Sequence, residues 1–253
     1  MIGEGKVRAD LGRAFNLLKE LDLGIYRNTQ PNTDRDTTDL LRNSRGYAAT
    51  YNEYVTRQAY DILLDDGSLL FFRRDLQNKT LLSYGYLECP YDAMPYHQFI
   101  NEYYGTDSYD EARASSEYED YQTQAPLRLH VTPVRYDWSP TLYREGAHPA
   151  AHLHVGYETE IRLAVDALLN PVQFVLFVIR HFYVEEWETS ACRRSDVMRE
   201  AALISDAGVA PDFRKERDLL ELRLVRAVAT LSAADPAPHI AKGAAGRTRN
   251  RPS

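Results

Sequence analysis

Residues 146–187 read GAHPAAHLHVGYETEIRLAVDALLNPVQFVLFVIRHFYVEEW, and two different periodicities meet inside them. Ala151 to Tyr157 alternates in period two, the pattern of a half-buried strand. His152, His154 and Gly156 share one face of that strand, and Leu153, Val155 and Tyr157 share the other. Asn170-Pro171 then sets a helix start, with Asn as N-cap and Pro at the first helical position. Val172 to Ile179 is apolar nearly all round apart from Gln173, so the spacing predicts a helix buried in a core over about 171–183. It is too short for a membrane span and is bounded by Arg180 and His181, cations suited to a helix C-terminus.

The same stretch holds the chemistry. His148, His152 and His154 fall within seven residues of a chain with 7 histidines. On a strand, the two imidazoles of His152 and His154 stand about 6.5–7 Å apart, a spacing that can grip a phosphate, a base or a metal ion. Gly156 is expected to leave room beside them for a ligand. An imidazole titrates near neutrality, which suits acid, base and phosphate-binding roles. His-x-His on a strand is equally a two-ligand metal unit, with His148 or Glu158 as a third. Hydrogen-bonded histidines on an ordinary sheet face are the third reading.

Moving outward, Pro126 to Trp138 reads as a long strand with Arg128, His130 and Thr132 on one face. Paired with 151–157 it would gather His130, His152, His154 and an arginine, depending on register. Tyr60–Leu64 and Ser68–Arg74 flank Asp65-Asp66-Gly67, a hairpin signal within a β reading that runs from Tyr47 to Glu88. Arg73 and Arg74 close one of these strands, as solvated edge charge or as a phosphate contact. Val7, Leu11, Ala14, Leu18 and Leu21 predict an N-terminal helix over about 6–21, and Met94–Tyr104 another. Leu23–Arg27 is a short strand, and the polar stretch 28–45 a loop.

Seven acids against Arg113 make 101–122 an acidic, tyrosine-rich insertion, solvated or partner-docking. Helices are expected over 189–204 and 211–232, and a disordered tail over 233–253. The expected class is therefore α+β: an antiparallel β-meander packed on the buried helix, with flanking N- and C-terminal helices, as a single domain over 1–232.

A formal charge of −7 argues against broad nucleic-acid binding through the whole surface, though not against a local basic cleft. Cys89 and Cys192 match no zinc or redox spacing, and the N-terminus shows no secretory pattern, so a cytoplasmic, reduced protein is expected.

Arg135-Tyr136-Asp137, Tyr143 to Gly156, Ile161 to Asp166 and Pro171 to Tyr183 resemble a bacterial family catalogued as domain of unknown function twenty-two ninety. That resemblance brings no reaction with it. The order of a β-meander, Arg-Tyr-Asp, His-Pro-x-x-His-x-His and a helix is also similar, more distantly, to ribonuclease toxins of toxin–antitoxin pairs. That likeness implies metal-independent RNA cleavage with His148, His152, His154 and Arg135 as catalytic candidates.

The expectation is thus an RNA-directed nuclease or phosphoesterase, toxin- or defence-like, needing neither metal nor cofactor. Imidazoles would move the protons, Arg135 or Arg162 would stabilise the phosphorane, and Tyr136 or Tyr157 would stack on a base, with His130 also on the substrate side. Two alternatives stand beside it. One is a non-catalytic subunit that binds a protein encoded nearby through the acidic insertion and C-terminal helices, which could also join two copies of the chain. The other is a metal-dependent enzyme using His148, His152, His154 and Glu158.

Overall fold

The computed structural model describes residues 4–31, 33, 46–74, 82–105, 108–144, 148–159, 161–165 and 168–188. The helices expected over 189–204 and 211–232, and the tail from 233, lie outside the described residues.

Seven antiparallel strands form one sheet in strict sequence order: β1 Gly24–Arg27, β2 Ile62–Leu64, β3 Leu69–Arg74, β4 Leu82–Leu87, β5 Val134–Trp138, β6 Ala151–Val155 and β7 Arg162–Ala164. Every neighbour is also the next strand in sequence, so the meander needs no crossover. The turn at Asp65-Asp66-Gly67 joins β2 to β3 as its sequence predicts. Gly67 takes φ +82°, and Asp66 accepts the Ser68 N–H at 2.9 Å.

One face of the sheet carries the main core. Leu70 and Phe72 of β3, Leu82, Tyr84 and Tyr86 of β4, Val134 and Tyr136 of β5 and Leu153 of β6 are buried there. Two helices cover this face: α1 Glu4–Glu20 and α5 Pro171–Phe182. In α5 the expected start is realised as a reciprocal cap, in which Asn170 Oδ1 accepts the Gln173 N–H and Gln173 Oε1 accepts the Asn170 N–H, each at 2.9 Å. Phe174 is fully buried and meets Phe72 and Tyr84 with ring centroids 6.0 and 5.9 Å apart. His181 hydrogen-bonds the Phe177 carbonyl at 2.7 Å, a helix-end role.

The opposite face is covered over β3 and β4 by a helix where the sequence read as β. Tyr47–Thr56 is α2, and Tyr47, Thr50, Tyr51 and Tyr54 recur at helical spacing along it. Tyr51 is buried with its hydroxyl on the Gly67 carbonyl at 2.5 Å, and Tyr54 stacks on Phe71 at 5.4 Å. Aromatic residues suit strands as well as packed helix faces, so propensity pointed the wrong way here.

The acidic insertion is also structured. Helices α3 Tyr96–Tyr103 and α4 Glu111–Gln124 enclose a small core of Phe99, Ile100, Ala114 and Tyr118. Asp110 caps α4 by accepting the Ala112 and Arg113 N–H groups. Its described acids occupy the outer side while Tyr118 packs inward with Tyr104 and Tyr121 against it, so a charge run that read as solvated insertion is the wet face of a helical hairpin.

Among the described residues, no helix is long and apolar enough to cross a membrane.

Candidate functional site

The part of the second face left beside α2 is formed by β5, β6 and β7. Register decides what stands there. Asp137 pairs with His152 and with Ser83, while His154 lies between Arg135 on one side and Arg162 on the other. Because alternate residues of a strand share a face, Ser83, Asp137 and His152 form one row across the sheet, and Arg135, His154 and Arg162 the next.

The side chains converge more closely than their backbone spacing suggests. His152 Nε2 lies 3.0 Å from His154 Nε2, with ring centroids 4.8 Å apart. His154 Nε2 lies 3.3 Å from Asp137 Oδ2. The three potential ligand atoms are all within 4.8 Å of one another.

Each group is held from behind. The Pro149 carbonyl can only accept, so His152 Nδ1, at 3.1 Å, carries the proton and donates it there. That leaves the His152 Nε2 lone pair aimed at the centre. Asp137 Oδ1 accepts the Ser83 hydroxyl at 2.7 Å, and Arg135 Nε donates to Asp137 Oδ2 at 3.0 Å.

Electrostatics follow from these contacts. Burial, then the neighbouring His154, push the His152 imidazole down from 6.5 to about 4, so it is neutral at physiological pH. Burial pulls the Asp137 carboxyl upward, but the His154 contact, the Arg135 charge and the Ser83 hydroxyl outweigh it and hold the group below its ordinary value. His152 is 2% exposed; Asp137 and His154 are half-buried, so the cluster opens to solvent on the Arg135 side.

The other candidates fall in different places. His148 is bridged to Arg144 through its backbone and packs edge-on against His152 at 4.9 Å, with its Nδ1 buried and without a hydrogen-bond partner among the described residues. It stands behind the cluster and is not among the converging ligand atoms. Glu158 is exposed in the turn after β6, at φ +53°.

His130 does not join the site. The expected long strand begins only at Val134, because Glu88 takes hold of the preceding segment. It binds Arg128 Nη1 at 3.0 Å and accepts the Thr132 N–H at 2.7 Å, and His130 is left exposed.

Tyr136 is fully buried on the opposite face, where its hydroxyl accepts the Leu169 N–H at 3.3 Å, so it cannot stack on a base. Gly156 does not leave a ligand-sized gap. It takes φ +87°, with Thr159 Cγ2 2.9 Å from where a Cβ would be, and turns the chain out of β6. That turn breaks the alternation and sends Tyr157 to α2, where it meets Tyr47 at 5.4 Å and Thr50 Oγ1 at 3.1 Å.

Two members were not singled out from sequence. Asp137 could have been, since Arg135-Tyr136-Asp137 in a strand puts Asp137 on the Arg135 face. Ser83 had no local signal, because its place depends on the β4–β5 register.

No curated protein and no solved structure is significantly similar to this chain. A family model does match residues 25–216, a span that contains β2 to β7, all of β1 but Gly24, and the whole cluster. The chain belongs to that family, described as "Uncharacterized conserved protein (DUF2290)".

Proposed function

We propose that His152, His154 and Asp137 bind a first-row divalent metal ion, and that the centre so formed hydrolyses phosphate esters, RNA among the candidate substrates. The observation that carries this reading is the direct approach of two imidazole nitrogens and a carboxylate oxygen, at 3.0 and 3.3 Å. Only one proton fits among these three electron-pair donors, and a cation can take its place. Ligand bonds of about 2.0–2.2 Å impose ligand–ligand separations of roughly 3.0–3.4 Å in octahedral or tetrahedral geometry. The remaining edge, no more than 4.8 Å, closes by a small rotation of the Asp137 carboxylate.

The metal-independent mechanism expected from sequence fits less well. A general acid and a general base must stand on either side of a phosphoryl group. At 3.0 Å, His152 and His154 meet each other and leave no room for one. The metal-dependent alternative therefore gains support, with Asp137 replacing Glu158 and His148 behind the ligands.

A bound divalent ion would lower the pKa of its water and polarise a phosphoryl oxygen. The rest comes from the chain. Pro149 and Ser83 orient the ligands in the outer-shell manner that sharpens metal affinity. Arg135 and Arg162, on the strands either side of His154, place cationic groups where phosphate charge develops.

The test begins with protein purified without a histidine tag. Metal analysis and titration with zinc, manganese and ferrous iron should give one ion per chain. Hydrolysis of bis(p-nitrophenyl) phosphate and of single-stranded RNA should require it. Asp137→Asn and His154→Gln should lose both metal and activity while keeping the far-UV spectrum. Failure to bind any of these ions, or full hydrolysis in chelator, would overturn the reading.

A further inference from the structure

A cavity, independent of the histidine cluster, lies at the other end of the sheet. It measures about 370 Å³ and sits between the first turns of α1, the chain just after β1 and the end of β3. That volume is within the range of small-molecule sites, roughly 300–1,000 Å³.

Three arginines from three separate segments line it: Arg8 of α1, Arg27 at the end of β1 and Arg74 at the end of β3. None of the three is held in an ion pair with another described residue. Arg27 lies against α1 where Gly12 makes space; a Cβ there would be 3.3 Å from Arg27 Nη1. Asp61, the one carboxylate among the described lining residues, is already engaged. Its Oδ2 accepts the Phe72 N–H at 2.7 Å and Arg73 Nη1 at 2.9 Å. Asn28 is engaged too, donating to the Gln58 carbonyl at 3.0 Å and accepting from the Gln30 N–H. Among the described residues, the lining thus offers guanidinium donors that form no ion pair, with Arg27 near enough to Asp61 to favour its charged form.

Apart from Thr29, the remainder of the described wall is apolar: Val7 and Leu11 one turn apart on α1, Ile62 of β2 and Pro31. Arginine forks match phosphate oxygens in geometry as well as charge. An apolar shelf beside them suits a ring, and Asp61 Oδ1 is left as an acceptor for a ligand hydroxyl or amino group. We infer that this cavity binds a nucleoside phosphate, its phosphate held by Arg8, Arg27 and Arg74 and its nucleoside against Val7, Leu11 and Ile62. The adjacent pair Arg73-Arg74, ambiguous as edge charge in sequence, is divided by strand alternation: Arg73 holds Asp61 and Arg74 faces the cavity.

The experiment is calorimetric titration and thermal-shift measurement of the full chain with AMP, GMP, CMP and UMP, beside inorganic phosphate and adenosine alone. At least one nucleotide should bind at millimolar concentration or below and raise the melting temperature. Arg27→Gln with Arg74→Gln should weaken it about tenfold or more. Leu11→Trp, which fills the apolar wall from a surface helix, should do the same should the arginine variants unfold. Binding should persist in His154→Gln, which separates this site from the proposed metal centre.

Three results would overturn the inference: no nucleotide bound at several millimolar, binding indifferent to the arginine and Leu11 substitutions, or inorganic phosphate binding as tightly as every nucleotide.

Discussion

The depressed titration of His152 gives a prediction that can be worked through quantitatively. In the folded chain its imidazole gains a proton only near pH 4, against an ordinary value of 6.5. Between those two values the unfolded chain carries more protons than the folded one, so stability rises with pH there. The contribution is fully present above pH 6.5 and is lost as pH falls through the window. Each pH unit between the two values is worth ~1.36 kcal/mol, which gives about 3 kcal/mol over the whole window and about 1 kcal/mol by pH 5.5.

Asp137 acts lower. Its depressed value contributes stability that is present above the ordinary carboxylate range and disappears as pH falls below it. Asp61 and Asp65, both raised chiefly by burial, act in the opposite direction, contributing stability that is lost as pH rises through their folded values. A wild-type pH profile alone would mix these effects, so the informative quantity is a difference. His152→Gln removes the titrating group, and the other carboxylates cancel between the two proteins to the extent that they do not couple to it.

The assay is urea unfolding of both proteins, in chelator so that metal linkage does not enter, at about pH 7.5, 5.5 and 4. The stability advantage of wild type over variant should shrink by about 3 kcal/mol across that range. A pH-independent difference, or one that widens in acid, would refute the burial and contacts assigned to His152.

Three further outcomes test the framework that holds the site. Gly85 lies opposite Arg135, and a Cβ there would be 2.1 Å from the Phe71 ring, which Tyr54 covers from the other side; Gly85→Val should cost about 1–3 kcal/mol in urea unfolding. Phe174→Ala should cost about 3–5 kcal/mol by the same measure, since the ring is fully buried between Phe72 and Tyr84. Asn170→Ala should cost about 1 kcal/mol through loss of the reciprocal cap on α5, read as a lowered thermal midpoint.

What could be read from the chain depended on how local the determining interaction was. The meander, the turn at Gly67 and the cap at Asn170 are set by residues a few positions apart, and sequence periodicity reports them directly. The helix over Tyr47–Thr56 was hidden because its tyrosines are selected by what they pack on, Phe71, Tyr91 and Tyr157, which are distant in sequence. The strand at 126–138 was overextended because Glu88, some 40 residues earlier, captures Arg128 and Thr132. Alternation alone could not reveal that contact.

The histidine cluster shows the same limit within a single strand. Period two places His152 and His154 on one face, but it says nothing of whether their rings lean together or apart. That choice is made by two contacts from outside the strand: Pro149 fixes the His152 ring from behind, and Asp137 draws His154 from the neighbouring strand. A one-residue slip of β5 against β6 would turn Asp137 to the core face and replace it with Tyr136 or Trp138. The buried Tyr136 prevents this, because its ring packs at 5.8 Å on Tyr84 and its hydroxyl holds Leu169 ahead of α5. Tyr136, expected at the substrate, therefore serves the site from the opposite side of the sheet. It pins the register that brings a carboxylate to two imidazoles.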